Sequence, residues 1–167
     1  MKYFNAVLKP PSGLDQQFID FAQENFADKA DGYCLSDKVL PHIKLCLFKA
    51  DDLLDISIDT ISKVPEFVQY NVGIGREIHK GYVWAEIIIK PKAWLLHLHE
   101  YVKNKLNASG AEILTKHYTP HITFCRLPES QKEFADSIEI PNIFFKPHDG
   151  WTFEIGHSDV NGQYFGE

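Results

Sequence analysis

Cysteine is scarce in this chain, basic residues are outnumbered, and no long apolar run occurs. There are three cysteines in 167 residues, and two of them lie inside a repeated stretch, Cys46 and Cys125. That makes a disulfide framework a poor reading, and a reducing compartment, the cytoplasm, fits better. Lys and Arg total 17 against 23 Asp and Glu, a net charge of −6. Extended nucleic acid is held through many Lys/Arg–phosphate contacts, so this balance excludes a nonspecific duplex binder while leaving room for a small nucleotide or a short RNA end. The opening Met1 to Leu8 is too short and too polar for a signal-peptide core. The most apolar run, Val83 to Ile89, is interrupted by Glu86, so no membrane association is expected. Low-complexity tracts, linkers and blocks of like charge are also missing. What is present, 44% hydrophobic and 13% aromatic residues, is enough to bury one sizeable core. A single soluble domain over residues 1–167, monomeric, is the expectation.

The most informative feature is an octapeptide that occurs twice. Pro41-His42-Ile43-Lys44-Leu45-Cys46-Leu47-Phe48 returns 79 residues later as Pro120-His121-Ile122-Thr123-Phe124-Cys125-Arg126-Leu127, with four of eight positions identical. Matching Pro, His and Cys in the same order points to an internal duplication. Apolar residues alternate in both copies, the two-residue period of a strand with one buried face. Each proline stands at a strand start, where its missing N–H costs least. His42, Lys44 and Cys46 then share one face, as do His121, Thr123 and Cys125. Each copy offers an imidazole followed two residues on by a phosphate-capable donor, the Lys44 ammonium or the Thr123 hydroxyl. Two such strands facing each other across a pseudo-two-fold axis suit phosphodiester chemistry. One neutral His takes a proton from the attacking water or hydroxyl, the other, protonated, supplies one to the leaving oxygen, and the donors hold the non-bridging oxygens. No metal or other cofactor is required. A single Pro-His-Ile-Thr reads as readily as a satisfied surface or core histidine; the repetition is what favours chemistry.

The remaining chain gives the architecture. Lys2 to Leu8 reads as a strand ended by Pro10-Pro11. Ser12 and Asp15 resemble a capping pair for a helix from about Leu14 to Ala27, with Phe18 and Phe21 on its apolar face. Asp28 to Leu40 reads as a loop carrying Tyr33, either a base-stacking side chain or an aromatic pinning the loop. The acidic start at Asp51 favours a helix to Lys63, although its isoleucines prefer a strand. Phe67 to Gly73 and Tyr82 to Lys90 suggest a hairpin turned through Gly75 to Gly81, with Trp84 and Glu86 on an outer face. A helix starts near Lys92, its stripe Leu95, Leu98, Val102 and Leu106, and stops before Gly110. A short helix over Glu129 to Ser137, a β segment over Ile138 to Lys146 and a closing hairpin turned at Asn161-Gly162 complete the chain. The class is α+β: two lobes of one domain, each with a mainly antiparallel sheet, a central cleft between them and helices outside.

The other histidines do not make a metal set. His97 and His99 point in different directions from a helix and read as surface residues, and Pro120 argues against a helical pairing of His117 with His121. Lys116 and Tyr118, on the approach to the second motif, are candidate substrate contacts or solvated surface.

A pair of His-x-Thr/Ser-x strands about eighty residues apart, the second led by Pro, in a chain of this size resembles the 2H phosphoesterase superfamily, which includes 2′-5′ RNA ligase-like proteins and 2′,3′-cyclic nucleotide phosphodiesterases. Pro120-His121-Ile122-Thr123-Phe124 carries the likeness. Val72-Gly73-Ile74-Gly75 with Val83-Trp84-Ala85, and Ile155-Gly156 with Asn161-Gly162-Gln163, resemble the family's mid-chain and closing hairpins. The resemblance implies a bilobal fold with both motifs lining its cleft, metal-independent cleavage of a cyclic or 2′-5′ phosphodiester, and family roles for His42, His121 and Thr123. Lys44 stands where the family has Thr or Ser. Its charge would keep a phosphate contact and lower the proton affinity of His42, favouring His42 as base and His121 as acid. It also leaves open a binding module for nucleotide or RNA ends with poor turnover. A metal-dependent hydrolase using the other histidines is the third possibility.

Overall fold

The computed structural model describes residues 1–74 and 80–167. Two antiparallel sheets and, among the described residues, three α-helices make an α+β fold. The larger sheet has the order β5-β2-β1-β7-β8, from β1 (Lys2–Lys9), β2 (Ile43–Ala50), β5 (Glu112–Ile113), β7 (Thr152–Ser158) and β8 (Tyr164–Gly166). The smaller is β3-β4-β6, from β3 (Phe67–Ile74), β4 (Tyr82–Ile89) and β6 (His121–Pro128). Helices α1 (Leu14–Phe26), α2 (Ala93–Ala108) and α3 (Lys132–Asp136) pack outside the sheets, α2 against β2 and β5, α1 against β6, and α3 against β3.

Local sequence accounts for most of this. Helix α1 buries Leu14, Phe18, Phe21, Ala22 and Phe26 along one stripe. Its start differs from a capping pair: Gly13 holds a left-handed φ of 95° and Asp15 accepts the Gly13 N–H at 3.0 Å, while Ser12 contributes no cap. The phenylalanines meet Phe124 of β6 at ring distances of 5.8, 5.2 and 6.1 Å, and Phe144 stacks on Phe18 at 4.5 Å. Such pairs add about 0.5–1.5 kcal/mol each beyond area burial.

Two segments fold otherwise than the sequence suggests. Residues 51–66 form no regular element. Leu54, Ile56 and Ile58 lean on the core at every second position, so the two-residue period of the isoleucines overrides the acidic helix start. Residues 138–146 are not a β segment but coil and a 3-10 turn (Asn142–Phe145). Pro141, which has no N–H for a ladder, opens that turn, and the turn drives Phe144 into the aromatic cluster. The Gly75–Gly81 connection lies mostly outside the described residues.

The motif strands share an irregularity that two-residue alternation does not reveal. In β2, Ala6 faces Cys46 and Val7 faces Lys44, so Leu45 is an extra residue. In β6, Ala85 faces Cys125 and Glu86 faces Thr123, so Phe124 is an extra residue. Both bulges fall at the fifth residue of the octapeptide. A bulge reverses the alternation beyond it. Lys44 and Thr123 therefore keep the histidine side of their strands, but Cys46 and Cys125 cross to the opposite face, beside Ala6 and Ala85, and both are fully buried. The expectation that the cysteines share the histidines' face is thus corrected. None of the three thiols is in a disulfide, and burial pushes those of Cys34 and Cys46 up to about 11. No helix among the described residues is long and apolar enough to cross a membrane.

Candidate active site

The repeated strands bring their histidines to one small cavity. It is lined by Tyr33, His42, Lys44, Trp84, His121, Thr123, Asn161 and Gly162, and its volume of about 20 Å³ is water-sized. Both imidazoles are anchored alike. His42 Nδ1 lies 2.9 Å from the Leu40 carbonyl and His121 Nδ1 lies 2.6 Å from the Thr119 carbonyl, in each case two residues back and just before the motif proline. A carbonyl can only accept, so each Nδ1 carries a proton and each Nε2 is the nitrogen left for chemistry.

The two Nε2 atoms meet different surroundings. His42 is 7% exposed. Its Nε2 has the Asn5 amide nitrogen at 3.5 Å, and that amide also donates to the Gly162 carbonyl at 3.3 Å. Burial first, then the charges of Lys44 and His121, push its pKa down to about 4, outweighing the hydrogen bonds to Leu40 and Gly162 that favour the charged ring. His42 is therefore a neutral imidazole near pH 7. His121 Nε2 lies 2.8 Å from Glu86 Oε2, so both of its nitrogens face acceptor oxygens. The Thr123 hydroxyl reaches the same Glu86 oxygen at 3.4 Å.

Neighbouring elements hold this geometry. The carbonyl of bulge residue Leu45 accepts from His99 Nδ1 at 2.6 Å, and that of bulge residue Phe124 accepts from the Leu35 N–H at 2.9 Å. His99 is thus buried against β2 rather than on the surface, whereas His97 is exposed. The closing turn is fixed by the Asp159 carboxylate, which accepts the N–H groups of Asn161 and Gln163 at 2.9 Å each. Gly162, at φ 82°, gives the left-handed conformation that sets its carbonyl over Asn5.

Of the residues singled out from sequence, His42, Lys44, His121, Thr123 and Tyr33 line the cavity together. Tyr33 is 5% exposed and meets Trp84 edge-on at 5.3 Å. Tyr118 lies on a second cavity of about 400 Å³ that His121 also lines, with Asn71, Glu86, Ile88 and Pro91. It stacks flat on His99 at 4.1 Å. Lys116 is exposed and lines neither cavity. Sequence reasoning missed Asn5, Trp84 and Glu86. Trp84 and Glu86 do share a face, but it is the inner one, opposite Arg126 and Thr123. For Asn5 the signal was present: an amide inside the apolar run Tyr3-Phe4-Asn5-Ala6-Val7. Among the described residues, no group of three or more His, Cys, Asp or Glu is gathered as a metal site.

Comparison of the chain with protein-family models, with curated proteins and with solved structures finds no match in any of the three.

Proposed function

We propose that this protein is a metal-independent phosphodiesterase of the 2H type, cleaving a 2′,3′-cyclic phosphate or a 2′-5′ phosphodiester of a nucleotide or RNA end. The observation that carries the reading is the pair of identically anchored imidazoles whose Nε2 atoms are held for opposite tasks. The matched bulges and matched Nδ1 anchors also favour a duplicated, two-lobed fold with the motifs facing across a central cleft.

In this mechanism neutral His42 Nε2 removes a proton from water as the water oxygen bonds to phosphorus. His121 Nε2–H gives its proton to the departing ribose oxygen as the P–O bond breaks, so one proton is taken and one returned. Lys44 and Thr123 contact the non-bridging oxygens and offset charge that builds there. A water-sized space between the rings suits the nucleophile, and the nucleoside extends outside it.

The test is hydrolysis of 2′,3′-cyclic mononucleotides and a short 2′-5′ oligonucleotide in excess chelator, by wild type, His42→Ala and His121→Ala. The expected outcome is chelator-resistant turnover lost in either variant. A second reading, a nucleotide-end binder with little turnover in the cytoplasm, is favoured by Lys44 in place of a hydroxyl and by the carboxylate already bonded to His121. Protection from unfolding by the same compounds, without turnover, selects it.

A further inference from the structure

We infer that Glu86 makes this site selective for singly charged phosphodiesters over doubly charged phosphomonoesters, so that the protein rejects the product of its own reaction. The inference rests on the phosphodiesterase reading and assigns a specificity-determining role to a residue outside the repeated motif.

Glu86 Oε2 lies 2.8 Å from His121 Nε2 and 3.4 Å from Thr123 Oγ1. These are the two donors on β6 that would meet a phosphoryl group, and one carboxylate oxygen holds both. An anion of the protein's own therefore stands where a substrate oxygen must approach. The Glu86 side chain is 15% exposed, so its charge is only partly screened. A phosphoester displaces this oxygen or settles beside it, and in either case the opposing energy grows with the ligand's charge.

The ligand's own charge sets how strongly Glu86 opposes it. Among the described residues, the titratable side chains lining the two cavities around His121 are those of Lys44, Glu86, His42, His121, Tyr33 and Tyr118. A cyclic or linear diester carries one negative charge. Opening the cyclic diester breaks one P–O bond, forms another to the water oxygen and leaves a monoester with a second ionisable oxygen. With its second ionisation near pH 6, that monoester carries roughly −1.5 to −2 at neutral pH. The surplus charge falls on Glu86.

The experiment measures, for wild type and Glu86→Gln, the affinity of the 2′- and 3′-nucleoside monophosphates and of inorganic phosphate relative to the 2′,3′-cyclic mononucleotide. Affinities come from competitive inhibition and from thermal shift, at pH 8 and pH 5. Taking the ratio on one protein at one pH removes any protonation requirement that the two ligands share. Wild type should prefer the cyclic diester at pH 8 and lose most of that preference at pH 5, where the monoester is singly charged. Glu86→Gln, nearly the same shape, should raise the monoester-to-diester affinity ratio roughly tenfold at pH 8, as expected for removing one nearby charge. An unchanged ratio in Glu86→Gln, or a wild-type ratio that does not move with pH, overturns the inference while leaving the phosphodiesterase reading intact. If no phosphoester is turned over or bound by either protein, both fall together.

Discussion

Strands β2 and β6 carry motifs with four of eight residues in common and set their histidines in contrasting surroundings. Their backbones agree: a bulge at the fifth residue, a proline at the first, and an imidazole tied through Nδ1 to the carbonyl two residues back. Their neighbours do not. Beside β2, strand β1 supplies the Asn5 amide and the site buries His42 almost fully; beside β6, strand β4 supplies the Glu86 carboxylate. Backbone geometry fixes which nitrogen is presented. The adjacent strand decides what that nitrogen meets, an amide beside His42 and a carboxylate beside His121, and in the proposed mechanism this difference separates the base from the acid.

The comparison can be broken outright at the histidines. Replacing either His42 or His121 with Ala should cost roughly 10²–10⁴ in turnover, the usual worth of a positioned acid or base, with the same fold by circular dichroism. If one variant kept full activity, the paired mechanism would be wrong. The bulges come next. Phe124→Ala should destabilise the protein by about 3–5 kcal/mol, since the ring sits among Phe18, Phe21 and Phe26. A denaturant midpoint close to wild type would show that the cluster does not hold the bulge.

A smaller effect follows from the pKa of His42. Folding lowers it from 6.5 to about 4, so between those values the unfolded chain binds more protons than the folded one. Stability from this group is therefore full above 6.5 and is lost as pH falls towards 4. His42→Asn should flatten the stability profile across that window; a slope equal to wild type would mean that other groups set it. The turnover profile should show its acid limb near the same low value. The smallest effect belongs to Lys44→Thr, which makes β2 more like β6. Burial is the leading cause of the His42 shift and Lys44 a lesser one, so the acid limb should move up only slightly. A large upward move would reverse that ranking, and no move at all, in a profile with a single ionisation, would remove Lys44 from the assignment of roles.

Strands β1, β2, β4 and β6 and helices α1 and α2 were legible because alternation or a helical stripe coincided with Pro and Gly stops. The meeting of His42 with His121 in one cavity could be expected from their repetition. Leu45 and Phe124 were not readable as extra residues, because an apolar residue on a buried face looks the same with or without a bulge. Cys46 and Cys125 were misplaced for that reason alone. Residues 51–63 fit two periods at once, and packing chose the period of two. Trp84 and Glu86 were correctly placed together but on the wrong side, since strand period says which residues share a face and not which face is covered. Asn5 depended on a partner 37 positions away, a pairing that only the folded sheet specifies.

The prolines ahead of the histidines have one more consequence. Each Nδ1 anchor is the carbonyl of a residue preceding proline, Leu40 or Thr119, and such residues are confined to extended backbone. The direction of each ring is thus inherited from main-chain stiffness, and its rotational freedom is surrendered during folding. A ligand of the proposed class would find both rings already aimed, with the ordering cost that usually weakens encounter met before the two molecules touch.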